Sequence, residues 1–221
     1  MAKKIYFSPS DQTGNRYATG NTNEAAECRK IALAAVKAAE RCGFEAKTNT
    51  TDNSDDAMVN RVSESNAWGA DLHVTIHTNA FNGYVKGTRM FCYAYGGDGH
   101  KACQFILNTL APITPGESDN ITEYAGLYEV RAAYAPTAYI EVAFHDNAEE
   151  AEFIIANTEE IAEAIVRGVC NYFGVKYVAP APKSETLYRV QVGAYSKYEN
   201  AKKQLEKIKA AGFTDAFIKE D

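Results

Sequence analysis

The sequence predicts an α/β protein, with a mostly parallel twisted sheet flanked by helices on both faces and a small C-terminal β-α-β unit. Short apolar stretches alternate with amphipathic helical stretches over residues 1–175. Two of the apolar stretches, DLHVTIH and AYIEVAF, have the length and composition of buried strands, and the composition shifts abruptly at VKYVAPAPKSET. Strands separated by helices are typical of a parallel sheet, whose ligands bind at the carboxyl ends of the strands.

The elements of the first segment follow in order along the chain. The predicted strands are Lys4–Phe7, Phe44–Thr48, Asp71–His77, Lys86–Tyr93 and Ala138–Phe144. The predicted helices are Glu24–Cys42, Asp56–Trp68, His100–Leu110 and Thr158–Phe173. The first helix shows the pattern most clearly, because its apolar residues recur at helical spacing and Gly43 follows at the position where helices commonly end.

Length and charge limit the classes of partner. The chain has 221 residues and a formal net charge of −6, which argues against nucleic acid, because phosphates favour a basic patch. No apolar run approaches the roughly 18 residues of a membrane span, and the N-terminus lacks the apolar core of a signal peptide. The five cysteines include no CxxC pair, so neither a disulfide framework nor a zinc ribbon is indicated. We therefore expect no membrane insertion and synthesis in the cytoplasm.

Three segments are predicted along the chain. Residues 1–175 form the larger α/β domain, residues 176–186 a linker stiffened by Pro180 and Pro182, and residues 187–221 a small unit. The small unit is too short to bury a stable core of its own.

Four polar residues suggest metal or acid–base chemistry. His77 ends one apolar strand, Glu141 lies inside another, and His145 follows it with the same strand parity if the strand extends that far. Glu24 extends the apolar stripe of the first helix. Buried carboxylates are rare unless they are paired or bind a metal. Imidazole and carboxylate ligands with a free carboxylate as base are a set typical of zinc hydrolases.

Simpler explanations exist for most of these residues. Glu24 could do no more than stabilise the N-terminus of its helix through its negative charge. His77 could be a hydrogen-bonded residue at a strand end. His73 lies deeper in the same strand and is interpreted as structural, and His100 as a surface residue at a helix start. Glu141 is the hardest to explain without chemistry, because an apolar strand gains nothing from a lone acid.

Two stretches resemble a known family. RVSESNAWGADLHVTIHTNAFNGYVKGT and PTAYIEVAFHDN are similar to the core motifs of the zinc-dependent N-acetylmuramoyl-L-alanine amidases of the amidase-3 type, found in bacteria and phages. The resemblance implies that Glu141 is the catalytic glutamate and that Glu24 and His77 are zinc ligands. It also implies that Arg131 and Asn79 face the substrate.

The sequence departs from the family pattern at the end of the first strand. The family carries Asp-Pro-Gly-His-Gly there, and its histidine is the first zinc ligand. This chain has SPSDQ, so that Asp11 takes the place of the histidine by position. Asp11 is therefore the favoured third ligand, with His145 and then Gln12 as alternatives.

The function implied is zinc-dependent hydrolysis of the amide bond between N-acetylmuramic acid and L-alanine in peptidoglycan. The setting expected is cell-wall lysis by a phage or prophage endolysin that acts on the wall after release. An alternative is a catalytically impaired, amidase-like protein that only binds the cell wall, because the usual first histidine is missing. A third possibility is another zinc hydrolase, such as a peptidase or deacetylase.

The C-terminal segment resembles a second family. YRVQVGAYSKYENAKKQLEKIKAAGFTDAFIKE is similar to the first half of a SPOR domain, a module that binds peptidoglycan glycan strands. Its predicted elements are strand Tyr188–Val192, helix Glu199–Ala210 and strand Ala216–Lys219. Two such halves could complete one sheet, so a homodimer through this segment is expected. The alternative is a vestigial unit that packs on the larger domain.

Overall fold

The structure is a computed structural model that describes residues 2–181 and 190–220. The chain divides into two compact units, an N-terminal unit (Met1–Pro180) and a C-terminal unit (Ala181–Asp221). The predicted linker, residues 176–186, extends into the part of the chain outside the described residues. In the described part, no helix combines the length and the apolar character that crossing a membrane requires.

The N-terminal unit consists of a six-stranded sheet and the helices that pack on it. Its strands are β1 (Lys4–Pro9), β2 (Glu45–Thr48), β3 (Leu72–Asn79), β4 (Arg89–Cys92), β5 (Asn120–Glu123) and β6 (Thr137–Phe144). Its helices are α1 (Glu24–Arg41), α2 (Ala57–Trp68), α3 (Asp98–Leu110), α4 (Tyr128–Ala132), α5 (Ala148–Ala156) and α6 (Thr158–Phe173). A short 3-10 helix, Ala111–Ile113, follows α3.

The strand order is β2-β1-β3-β6-β4-β5. The pairs among β2, β1, β3 and β6 are parallel, β4 runs antiparallel to β6, and β5 pairs in parallel with β4. The predicted fold class is therefore confirmed as a mixed, mostly parallel sheet with flanking helices. Because β6 lies between β3 and β4, the connection from β3 to β4 crosses the carboxyl end of β6.

The two faces of the sheet differ in chemistry because side chains alternate along each strand. In β3, Val74 and Ile76 lie in one apolar core with residues of α1, α3 and α6. His73, Thr75 and His77 lie on the opposite face and are also buried. Burial of each large aliphatic side chain contributes about 1.5–3 kcal/mol, so the apolar face supplies the stability. The opposite, polar face is free to carry chemistry, and α2 and α4 lie near it.

Several elements differ from the sequence predictions. The chain also forms three elements that were not predicted, β5, α4 and α5. The first two are short and α5 closely follows β6, so none of them has a hydrophobic pattern long enough to detect. The predicted strand Lys86–Tyr93 is limited to β4. The amides of Gly87 and Thr88 instead donate to the side chains of Glu150 (2.7 Å) and Asp119 (2.6 Å), so these residues do not join the ladder.

The C-terminal unit contains one helix among its described residues, α7 (Tyr198–Ala210). Within residues 190–220, no ladder is formed by residues 216–219, and the predicted strand Ala216–Lys219 stays a prediction, because its expected partner lies partly outside the described residues. The predicted strand Tyr188–Val192 lies partly outside the described residues, and residues 190–192 are not in a strand. A β segment needs a paired neighbour to satisfy its backbone groups, and a single β-α-β unit offers little pairing.

Candidate active site

His77 and Glu141 lie side by side on the polar face of the sheet. The register of β3 against β6 pairs the two residues directly, near the carboxyl ends of both strands. The imidazole of His77 stacks on Tyr139, with 4.7 Å between ring centroids. His77 is buried and Glu141 is largely enclosed, so both groups are withdrawn from bulk water.

Glu24 reaches His77 from the start of α1. Asn23 caps this helix, its side-chain oxygen accepting a hydrogen bond from the amide of Ala26 at 2.9 Å. One carboxylate oxygen of Glu24 lies 2.9 Å from His77 Nδ1, and the other accepts a 2.6 Å hydrogen bond from Asn15 Nδ2. The polar segment after β1 therefore places the first turn of α1 at the end of β3.

Gln12 lies on the same side of the imidazole. Its amide nitrogen is 3.5 Å from His77 Nδ1, and its amide oxygen accepts a 2.7 Å hydrogen bond from Asn15 Nδ2. Because Asn15 Nδ2 also donates to Glu24, it links the two side chains that face His77 Nδ1.

Asp11, the favoured third ligand from sequence, has different partners. Its carboxylate accepts a 3.0 Å hydrogen bond from the backbone amide of Met58 and forms an ion pair with Arg61 Nη2 at 3.2 Å. These contacts hold it at the start of α2 rather than beside His77. A helix N-terminus and a buried guanidinium both attract a carboxylate, which explains the difference from the sequence expectation.

His145, the next alternative, is also engaged elsewhere. Its Nδ1 lies 3.0 Å from both the hydroxyl and the carbonyl oxygen of Thr78, and its ring stacks on Tyr17. The expected strand parity with Glu141 does not apply, because β6 ends at Phe144 and its pairing with β3 shifts register after His77.

Glu129 is a site residue that the sequence analysis missed. It lies on α4, is buried, and contacts His77 on the side opposite to Glu24, with 3.5 Å between its carboxylate and His77 Nε2. It also contacts Ser8 and His73. The sequence signal was weak, because a glutamate in a helix of five residues shows no periodicity that would place it inside.

The residues expected to face substrate lie at the surface or near it. Arg131 is exposed, donates a 2.6 Å hydrogen bond to the carbonyl of Gly126, and lies over the ring of Tyr128. Asn79 is half-buried at the end of β3. Asn66 holds the end of α4 and the segment after it, because its side chain donates to the carbonyl of Ala132 and accepts a hydrogen bond from the amide of Tyr134.

Burial and pairing shift the pKa values of the ionisable groups. Burial raises the pKa of Glu141 to about 7, and one of its oxygens has no hydrogen-bond partner among the described residues. Burial alone would lower the pKa of His77, but Glu129 and Glu24 outweigh it and raise the pKa to about 10. Burial alone would raise the pKa of both Glu24 and Glu129, yet hydrogen bonding with histidine lowers both, that of Glu129 to about 2.

The donor atoms around His77 Nδ1 can be compared with the geometry of a zinc site. Among residues 2–181 and 190–220, no three histidine, cysteine, aspartate or glutamate side chains converge into a metal-binding group. The Nδ1 side offers His77 itself, the Glu24 carboxylate and the Gln12 amide, at 2.9 Å and 3.5 Å from Nδ1. Tetrahedral zinc with bonds of about 2.0–2.2 Å spaces its ligand atoms about 3.3–3.5 Å apart. The 3.5 Å separation of Gln12 from Nδ1 matches this spacing, whereas the 2.9 Å separation of Glu24 is that of a hydrogen bond. Zinc would therefore require the Glu24 carboxylate to move away from Nδ1, and with that adjustment the imidazole, the carboxylate and an amide oxygen could serve as donors.

A largely enclosed carboxylate lies beside a histidine–glutamate pair at the carboxyl edge of an α/β sheet, the edge at which such folds bind ligands. The comparisons with known proteins give the family. The family model described as N-acetylmuramoyl-L-alanine amidase matches residues 9–171, and the chain belongs to this family.

The chain is similar to curated amidases of bacilli. It is 24% identical over 221 residues to the sporulation-specific N-acetylmuramoyl-L-alanine amidase of Bacillus subtilis (strain 168), covering 99% of this chain and 85% of that protein. It is 27% identical over 166 residues to the N-acetylmuramoyl-L-alanine amidase CwlM of Bacillus licheniformis, covering 73% of this chain and 62% of that protein.

Solved structures share the fold. The catalytic domain of the amidase CwlV from Bacillus (Paenibacillus) polymyxa superposes with a TM-score of 0.68 and 17% identity, covering 79% of this chain and 99% of that one. An N-acetylmuramoyl-L-alanine amidase from Clostridium difficile 630 gives a TM-score of 0.69 and 23% identity, covering 78% and 97%.

A SPOR domain model matches residues 157–220, so the chain is an amidase family member with a SPOR segment. The match begins at α6, where Ile161, Ile165 and Val169 are buried in the core of the N-terminal unit. This helix therefore has a structural role in the amidase fold, and α7 is the helix that the C-terminal unit contributes to the match.

The raised pKa of Glu141 predicts a pH-dependent stability in the metal-free protein. Between the ordinary pKa of glutamate and about pH 7, the folded chain keeps this carboxyl protonated while the unfolded chain ionises it. Stability linked to this group is therefore lost as the pH rises from 5 to 8, by up to about 3 kcal/mol. Urea unfolding in chelator at both pH values should show a smaller loss for Glu141→Gln than for the wild type. The exposed Glu152→Gln variant should match the wild type, and equal losses in all three proteins would contradict the assignment.

Proposed function

We propose that this chain is a zinc-dependent amidase that hydrolyses the bond between the lactyl group of N-acetylmuramic acid and the L-alanine of the peptidoglycan stem peptide. Family membership supports the reaction class. The observation that carries the assignment is the buried, partly unpartnered carboxylate of Glu141 beside His77, whose Nδ1 already faces Glu24.

Zinc would be held by His77 through Nδ1, by the Glu24 carboxylate and by the Gln12 amide oxygen. Gln12 replaces Asp11 in this proposal, because Asp11 is bound at the start of α2. Turning the Gln12 amide over would present its oxygen to the point that its nitrogen now faces, and would break the hydrogen bond that this oxygen accepts from Asn15 Nδ2. Bound zinc supplies a Lewis acid that lowers the pKa of a water molecule and polarises the substrate carbonyl.

Glu141 is the proposed general base and acid. Its carboxylate accepts a proton from the attacking water as the new C–O bond forms, and then gives that proton to the departing amine nitrogen as the C–N bond breaks. The products are the lactyl carboxylate and the free α-amine of L-alanine. Burial raises the pKa of Glu141 to about 7 in the metal-free chain, and a bound cation beside it would favour the ionised form that acts as the base.

The substrate contacts at the rim are proposals of the same kind. Arg131 is exposed, and its guanidinium could pair with carboxylates of the stem peptide. Asn79 follows His77 by two residues and could hydrogen-bond the amide group near the scissile bond. We propose both as binding residues rather than as participants in proton transfer.

An inactive wall-binding protein is less well supported. Such a protein would keep the largely enclosed carboxylate of Glu141, one of whose oxygens has no partner among the described residues, without using it. Buried charges are costly unless they are paired or used, so a site without activity has no physical reason to retain them.

The biological setting stays a prediction. Release into the wall and a phage or prophage endolysin role were expected from the sequence. Two curated relatives, both from Bacillus subtilis, carry names that describe sporulation-specific and germination-specific amidases. These names describe those proteins. The proposed substrate, peptidoglycan, is the same in an endolysin, sporulation or germination setting.

The C-terminal unit is proposed to bind peptidoglycan glycan strands and to pair with a second copy of the chain. The SPOR match supports the glycan partner. We propose pairing because the unit is too short to bury a core of its own and because α7 carries an apolar stripe, on which Ala201, Leu205 and Ile208 lie at helical spacing.

Replacement of Glu141 by glutamine should remove turnover without removing the metal. Loss of a general base lowers kcat by about 10²–10⁴-fold. The measurement is the release of L-alanine amino groups from purified cell walls, with zinc content and circular dichroism as controls. Activity within a few-fold of the wild type would contradict the role given to Glu141.

The third ligand can be tested with two neighbouring substitutions. Gln12→Ala should weaken zinc affinity at least about tenfold, because it removes a donor, whereas Asp11→Asn should change it little. Competition with a chromophoric chelator measures both affinities. A large loss for Asp11→Asn with normal binding by Gln12→Ala would restore Asp11 as the ligand.

The pairing of C-terminal units can be tested by mass in solution. At micromolar concentration, sedimentation should give twice the 24.2 kDa mass of the chain. Leu205→Asp should give the single-chain mass, because it places a charge on the partly buried face of α7. A wild-type protein that sediments as a single chain would contradict the dimer.

A further inference from the structure

Glu129 has a place in the site that the proposed reaction does not yet use. It is buried and lies on α4, above the polar face of the sheet. One carboxylate oxygen accepts a hydrogen bond from the hydroxyl of Ser8 and lies 3.3 Å from His73 Nε2. The other oxygen lies 3.5 Å from His77 Nε2. Each oxygen thus faces at least one donor.

Both ring nitrogens of His77 face a carboxylate, Nδ1 that of Glu24 at 2.9 Å and Nε2 that of Glu129 at 3.5 Å. An ionised carboxylate only accepts hydrogen bonds, so without a metal each nitrogen carries a hydrogen. A metal that replaces the hydrogen on Nδ1 leaves the remaining hydrogen on Nε2, where it faces Glu129. Nδ1 is the nitrogen that faces Glu24 and Gln12, where the metal is proposed to bind.

Glu129 is itself held in place by a second histidine. His73 Nδ1 lies 2.9 Å from the hydroxyl of Ser65, and its ring stacks on Tyr6 with an interplanar angle of 3°. If Ser65 donates to Nδ1, His73 presents Nε2–H to Glu129. His73, expected from sequence to be structural, therefore supports the carboxylate from β3 while Ser8 supports it from β1.

The position of Glu129 also excludes it as a ligand of the proposed metal. The two nitrogens of one imidazole point in different directions, and Glu129 faces Nε2 while Glu24 and Gln12 face Nδ1. One ion cannot contact His77 Nδ1 and the Glu129 carboxylate in this arrangement.

We infer that Glu129 is a positioning residue, whose carboxylate holds His77 in the tautomer and ring orientation that direct Nδ1 toward the metal. This inference rests on the proposed function. Partners of this kind orient metal-binding histidines, and their removal weakens metal affinity about 10–100-fold. Ser8 and His73 act one step further out, since they hold Glu129 rather than His77.

The test compares zinc affinity and the His77 tautomer in the full chain. Glu129→Ala should bind zinc about 10–100-fold more weakly than the wild type. Glu129→Gln keeps the volume of the side chain and should still bind at least about threefold more weakly, because a neutral amide is the poorer acceptor. Nitrogen-15 NMR of the histidine rings should show Nε2–H with metal-bound Nδ1 in the wild type, and loss of this single form in Glu129→Ala.

Glu150→Gln is the matched control, because Glu150 is as buried as Glu129 but does not contact His77. Its carboxylate accepts hydrogen bonds from the backbone amides of Gly87 and Phe144. It should lower stability in urea and leave zinc affinity unchanged, which separates positioning from general loss of stability. If both Glu129 variants bound zinc as tightly as the wild type and kept the same His77 tautomer, the role given to Glu129 would be overturned and the proposed function would not. A wild-type chain that takes up no zinc would overturn the proposed function and the inference with it.

Discussion

The pairing of β3 with β6 is the constraint on which the site depends. It sets His77 directly beside Glu141 on the polar face of the sheet, and the opposite face of the same strands lies in the apolar core. A slip of one residue would exchange the two faces and bury the charges among aliphatic side chains. The core that stabilises the fold therefore also fixes the position of the proposed base relative to the proposed ligand.

The site is stable because its buried charges are paired across one imidazole. His77 lies between Glu24 and Glu129, and both carboxylates have further donors, Asn15 for Glu24 and Ser8 for Glu129. Removing one member of a buried pair costs about 3–5 kcal/mol, because the other charge is left uncompensated. Glu141 lacks a partner for one oxygen, and its raised pKa reflects that environment. The paired groups therefore stabilise one another, and Glu141 is the carboxylate that we propose for proton transfer.

Much of this arrangement could be predicted from the sequence, and the failures have identifiable causes. The strands around His77 and Glu141 and the helix that begins at Glu24 have strong hydrophobic patterns, and the structure brings these three residues together. Asp11 could not be located, because its contact with the start of α2 is tertiary. His145 depended on a strand parity that a register shift removes, and Glu129 lies on a helix too short to show a pattern. Local periodicity predicts elements, whereas these contacts depend on how distant elements meet.

A metal is proposed to bind on the Nδ1 side of His77, with Glu129 supporting the ring on the other side. A crystal structure of the zinc-loaded protein, with anomalous scattering measured at the zinc edge, tests this most directly. We expect one peak about 2.0–2.2 Å from His77 Nδ1, a Glu24 oxygen and the Gln12 amide oxygen, with Glu129 still facing Nε2. A peak coordinated by Asp11, or by His77 Nε2 together with Glu129, would contradict the account.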